Sequence, residues 1–189
     1  MKRFAGVLIA AAAVLPLTAC GAKEFKVQQA PSGPLNAYGQ VEVVPFAVEL
    51  PEGSEPERRA QANELLLIVR KRLVEKLASS ELFSDSGRKL ILTGKLVSLD
   101  PGSQAARYII GLGAGSGEIV ADVTFSDESG NTIARGSAVG GVTAGFGGGS
   151  INSAARRLAD AIYKFIASNH ASVAEPEAER PSTGPRGRR

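Results

Sequence analysis

Among 189 residues the chain has one cysteine, one histidine and no tryptophan. A single cysteine excludes a disulfide framework within the chain and any Cys-rich zinc site. A lone histidine, His170, argues against His-dependent catalysis and against a His-cluster metal centre. Without tryptophan the case for a sugar-stacking site is weak. No apolar run is long enough to span a bilayer. The longest, Phe4–Leu17, has about 14 residues where a spanning helix needs roughly 20.

Charge of one sign is also scarce. The formal net charge is +3, and it comes from the two ends. Residues 1–20 contribute Lys2 and Arg3 with no acid, and 181–189 contribute Arg186, Arg188 and Arg189, again with no acid. The stretch 21–180 carries 17 basic and 19 acidic side chains, so the body is close to neutral. A nucleic-acid binder needs a basic stripe on its folded domain, so a near-neutral body makes that reading weak.

What is present first is an export pattern. A basic start, a short apolar core and small residues before a cut site describe a signal peptide, and Pro16 ends its helix ahead of the cut. Leu17-Thr18-Ala19-Cys20 resembles the lipobox of bacterial lipoproteins, apolar–small–small–Cys. The resemblance implies that Leu17, Thr18 and Ala19 are recognised for cleavage. It also implies that palmitate-type acyl chains are attached to Cys20, which becomes the first residue of the mature chain. The lipid acceptor must be a thiolate, and this is the only thiol. Gly21, rather than Asp, follows the cysteine. By resemblance to enterobacterial sorting, this implies the outer membrane, with the domain in the periplasm.

The remainder divides by composition. Residues 20–40 are polar, with prolines and glycines, and are expected to form a flexible tether of roughly 25 Å average span. Residues 171–189 hold almost no large apolar side chain and are expected to be disordered. Between them lies a domain over 41–170. Val41–Phe46 reads as a strand pushed to an edge or an early end by Pro45. Ser54-Glu55-Pro56-Glu57 fits a capping box with serine at the N-cap. Ala62, Leu65, Leu66, Val69, Leu73 and Leu77 then mark a helix to Ser80.

Leu90–Val97 reads as a buried strand, and Glu118–Phe125 and Thr132–Val139 as a hairpin closed by Asp127–Asn131. Ile151, Ala155, Leu158, Ile162 and Phe165 mark a last helix to about Asn169. The expected fold is an α/β two-layer sandwich: one mixed sheet of about four strands with two helices on one face. The first crossover should make its two strands parallel.

The motif candidates mostly dissolve on inspection. Arg107–Gly117 holds glycines at alternate positions, but the third glycine of a dinucleotide fingerprint falls on Ser116 or Glu118, and a strand pattern follows instead of a helix. Alternating glycines instead imply a strand face that another backbone approaches closely. Asp127–Asn131 begins like a calcium loop but continues with Thr132 and Ala138, where Gly and Glu are required. Gly140–Ser150 reads as a slack connection around Phe146, Arg70-Lys71-Arg72 as a solvated helix face, and His170 as a cation suited to a helix C-terminus.

With Arg107–Gly117, the hairpin, Gly145–Ser150 and the Ala-rich helix from Ala154, residues 41–170 resemble a group of uncharacterised bacterial lipoproteins. That group is classed as a domain of unknown function, four-four-one-zero. The resemblance implies no catalytic or ligand residue. In architecture the chain also resembles periplasmic domains of curli-secretion and peptidoglycan-synthase-activator lipoproteins, and function does not follow from that.

The expected function is therefore a membrane-anchored envelope lipoprotein with a non-enzymatic binding or assembly domain. Its partners would be the membrane, through the lipid on Cys20, and an envelope protein. No nucleic acid, small-molecule substrate, cofactor or metal is expected. Two alternatives follow from particular residues. One is an envelope hydrolase using Asp122 and Glu118, which share a strand face. The other is a subunit of an oligomeric secretion channel with Glu118–Phe125 and Thr132–Val139 as a membrane hairpin. Strands of about eight residues would fall short of the nine to eleven a barrel wall needs.

Overall fold

Ile119, Ala121, Val123 and Phe125 alternate along one strand, and in the computed structural model all four are fully buried beneath a helix layer. The structure describes residues 23–102, 117–142 and 150–170. The expected signal segment 1–19, Cys20, residues 107–116, Phe146 and the tail 171–189 lie outside the described residues.

The elements in chain order are β1 (Lys23–Gln29), β2 (Gln40–Val43), β3 (Ala47–Val48), α1 (Pro56–Ala78), β4 (Lys89–Asp100), β5 (Gly117–Ser126), β6 (Thr132–Val142) and α2 (Ile151–His170). They build one six-stranded sheet in the order β1-β6-β5-β4-β2, with β3 also paired to β4. β2 and β3 run parallel to β4, as a crossover through α1 requires, and the other pairs are antiparallel. The two helices pack on each other and on the sheet. This is the expected α/β two-layer arrangement, and the sheet is larger than about four strands because β1 and the two-residue β3 join it.

The helices follow their apolar stripes. All six residues of the α1 stripe are buried, from Ala62 to Leu77. In α2 the five expected positions are buried together with Ala154, Ala159, Ala161 and Ile166. The α1 start differs from the expected capping box. A residue before proline is driven out of the helical region, so Glu55 is extended (φ −57°, ψ 142°) and becomes the N-cap, with Pro56 opening the helix. Ser54 is displaced from the cap and its hydroxyl donates to the Pro51 carbonyl at 2.7 Å. None of the described helices is long and apolar enough to cross a membrane.

The strands carry three devices that the apolar pattern hides. Pro45 ends β2, as expected, and the chain rejoins the same neighbour two residues on. Four steps from Val43 to Ala47 match three from Leu92 to Lys95, and the Phe46 ring lies where a side chain on Gly94 would stand. In β4 the register shifts between Leu96 and Ser98, so Leu96 and Leu99 both face the core despite their odd spacing. That strand is covered on one face only. Ile91, Thr93 and Lys95 lie on the other face, where none is buried.

The third device overturns the expected tether. Lys23–Gln29 is a strand, paired antiparallel to β6 from Lys23↔Gly140 to Gln29↔Arg135. Phe25 stacks on Phe165 with ring centroids 4.1 Å apart and occupies the space left open by Gly136. Farther on, Leu35 is fully buried and Tyr38 nearly so, while the Ser32 amide donates to the Ile133 carbonyl. The stretch reads as polar because β1 is an edge strand with a single large inward residue. Its backbone hydrogen bonds leave no mark on composition.

Candidate functional site

The outer face of the sheet, opposite the helices, collects the polar residues of the three strands β1, β6 and β5. Register sets Asp122 opposite Ser137 and Thr124 opposite Arg135. The Ser137 hydroxyl donates to Asp122 Oδ1 at 2.6 Å, and the Gln28 amide donates to the same hydroxyl at 2.9 Å. This relay ties the edge strand β1 to the central strand β5. It engages the Asp122 carboxylate in structure.

Glu118 shares that face with Asp122 but is exposed and four residues away along one strand. At roughly 3.3 Å per residue the two Cα atoms stand about 13 Å apart. Asp122 is hydrogen-bonded to Ser137, while Glu118 stands exposed farther along the same strand.

The hairpin reading of β5 and β6 holds, and both strands exceed eight residues: ten and eleven. Length therefore no longer argues against a membrane hairpin, and chemistry takes its place. A barrel wall needs an apolar band toward lipid. Here the apolar face lies under α2, and the open face carries Asp122, Ser137 and Arg135.

Asp127 is a turn residue, as its sequence neighbours imply. Its Oδ1 accepts the amides of Ser129 and Asn131, each at 2.9 Å, and its Oδ2 accepts the Asn131 side chain at 2.9 Å. These bonds, led by the Asn131 side chain, hold the Asp127 carboxyl below its ordinary range. Both oxygens already have donors from the turn itself. Among the described residues no group of three or more His, Cys, Asp or Glu side chains has the proximity to hold a metal ion.

Basic side chains also find specific partners. Arg70 and Lys71 are exposed, as a solvated face requires; Arg70 donates to the Val43 carbonyl of β2 at 3.4 Å, and Lys71 lies 4.0 Å from Glu75. Arg72 and Lys76 converge on Asp160 at 3.3 and 3.1 Å, joining α1 to α2. His170 does stand in the last turn of α2, and its ring meets Phe83 edge-on at 5.3 Å. Its Nε2 is buried with no partner among the described residues. Sequence reasoning missed Arg157, whose guanidinium donates to the Gly141 carbonyl and fixes the end of β6 to α2. It also placed Gly140, Gly141 and Val142 in a loop, whereas they complete β6.

Of the alternating glycines in Arg107–Gly117 only Gly117 is described, and a Cβ there would lie 3.0 Å from the Pro101 carbonyl. Gly140, expected in a slack connection, is instead a point of close approach to a helix. A Cβ there would run into the Ala154 carbonyl and the Leu158 amide of α2. The described surface offers open grooves. The one between β2 and the end of α1, lined by Val41, Val43, Val74, Leu77 and Phe83, holds about 230 Å³.

Residues 22–148 match the family described as "Domain of unknown function (DUF4410)". The chain belongs to that family. In this DUF4410 member the match runs from just before β1 to beyond β6, so β1 belongs to the family domain. Two solved structures are similar at a distance. A dodecamer of a PelC variant from Paraburkholderia phytofirmans is 12% identical, with a TM-score of 0.45, covering 76% of this chain and 97% of that one. A second PelC dodecamer from the same organism is 18% identical, with a TM-score of 0.42, covering 72% and 95%. No curated protein matches the chain.

Proposed function

We propose that the protein is a lipid-anchored lipoprotein of the bacterial outer membrane whose DUF4410 domain, in the periplasm, is a non-enzymatic binding or assembly module for another envelope protein. One observation carries the reading: Leu17-Thr18-Ala19-Cys20 follows Lys2, Arg3 and the apolar Phe4–Leu17, with the chain's only cysteine at the acceptor position. The described side chains support the second half. Asp122 is committed to Ser137, Asp127 to its own turn and Asp160 to two cations across the helices. Each of these carboxylates has a structural partner, and the hydrogen-bonded outer sheet face is a surface suited to another protein.

The test is acylation in cells fed a tagged fatty acid. Wild-type protein should carry the label and sediment with membranes. Cys20→Ser should lose the label and accumulate as an uncleaved precursor or an alternatively processed soluble form. A wild-type chain without label ends the lipoprotein reading. In-cell cross-linking of the anchored protein should then capture an envelope protein, and a strictly unpartnered monomer would contradict the binding role.

A further inference from the structure

Only Gly21 and Ala22 separate Cys20 from the first residue of β1. Three residue steps reach about 10 Å at full extension. β1 is not free to swing, because it is paired to β6 along its length and Phe25 is stacked on Phe165. An acylated Cys20 therefore fixes one particular end of the sheet at the level of the lipid headgroups.

Register decides which end. Lys23 lies opposite Gly140, Gly117 opposite Val142 and Glu118 opposite Asp100. The anchor end is thus made of the start of β1, the end of β6, the start of β5 and the end of β4. The turn before α1 is there too, since Glu52 lines a groove with Val97 and Leu99. The hairpin turn at Asp127–Asn131 is at the far end, together with His170 against Phe83. Ten residues of β5 separate the two ends by roughly 33 Å.

We propose that the anchor end of the sheet is a membrane-contact surface, with the short spacer holding the strands steep to the bilayer and the Asp127 turn pointing away from it. The proposal rests on acylation of Cys20. The occupant is the leaflet that would hold the acyl chains, with zwitterionic headgroups: acidic Asp100, Glu118 and Glu52 share this end with basic Lys23, Arg58 and Arg157, so neither sign dominates.

Full-length lipidated protein in phosphatidylethanolamine–phosphatidylcholine liposomes with headgroup-quencher lipids provides the test. Single reporters are placed by Glu52→Cys and Ser129→Cys, both exposed positions, with Cys20 already blocked by lipid. With the ends some 30 Å apart, quenching at 52 should exceed that at 129 at least about threefold. Inserting about 20 Gly/Ser residues between Ala22 and Lys23, a coil of roughly 25 Å, should erase the difference while acylation persists. Equal quenching in the short-spacer protein, stronger quenching at 129, or a difference that survives the insertion each overturns the proposal. An unlipidated N-terminal mass overturns the anchor itself, and that readout separates the two failures.

Discussion

Gly140 and Asp127 carry the sharpest consequences of single residues. At Gly140 the obstacle to a side chain is backbone, the Ala154 carbonyl and Leu158 amide, which cannot step aside as a flexible side chain would. Gly140→Ala should cost about 2 to 3 kcal/mol, in the upper range for overpacking, and urea unfolding of the domain reads it directly. An unchanged midpoint would mean that α2 is not seated there. Sequence placed Gly140 in a slack connection and did not signal its approach to the helix. That depends on the β5–β6 register, which sets Gly140 opposite Ile119 on the inner face.

At Asp127 the folded carboxyl lies below its ordinary 3.8, held first by the Asn131 side chain. The sign follows: the charged form supports the turn above the unfolded value, and that support is lost as pH falls through the lower folded value. An NMR titration of Asp127 should therefore show a midpoint below 3.8, moving up toward it in Asn131→Ala. A wild-type midpoint at or above 3.8 contradicts the turn geometry.

Between elements, Asp160 is the polar link of the helix layer. It is about three-quarters buried and receives Arg72 and Lys76 from α1. Both cations remain partly in solvent, so screening limits the gain. Asp160→Ala should cost about 0.5 to 1 kcal/mol, shrinking at high salt. A loss that does not depend on salt would assign Asp160 a packing role instead. Legibility also varied by element. Both helices were readable because each buries a stripe of five or more apolar residues at helical spacing. β1 was not, because KEFKVQQ offers only Phe25 as an inward anchor, and an edge strand is held by backbone bonds that any sequence supplies. Ser54 misled for a local reason, the proline two residues later.

For the whole molecule, the two-layer α/β plan and the parallel first crossover were legible, since the order of strand and helix patterns leaves few topologies. The size of the sheet was not, because its added strands are short or polar. The candidate site divides the same way. Cys20 stands out as the sole thiol within a four-residue pattern. The relay from Gln28 through Ser137 to Asp122 has residues over 100 positions apart, and only register brings them together. The correction to the tether bears on the proposed anchor: with β1 starting at Lys23, an acylated Cys20 would hold the domain against the leaflet rather than on a long leash.

The intact mass of the membrane-extracted mature protein tests this account most directly. The anchored reading predicts a chain beginning at Cys20 and carrying more than one acyl chain, since a single chain binds a membrane only reversibly. A chain that begins at any other residue, or at Cys20 with a free thiol, contradicts it.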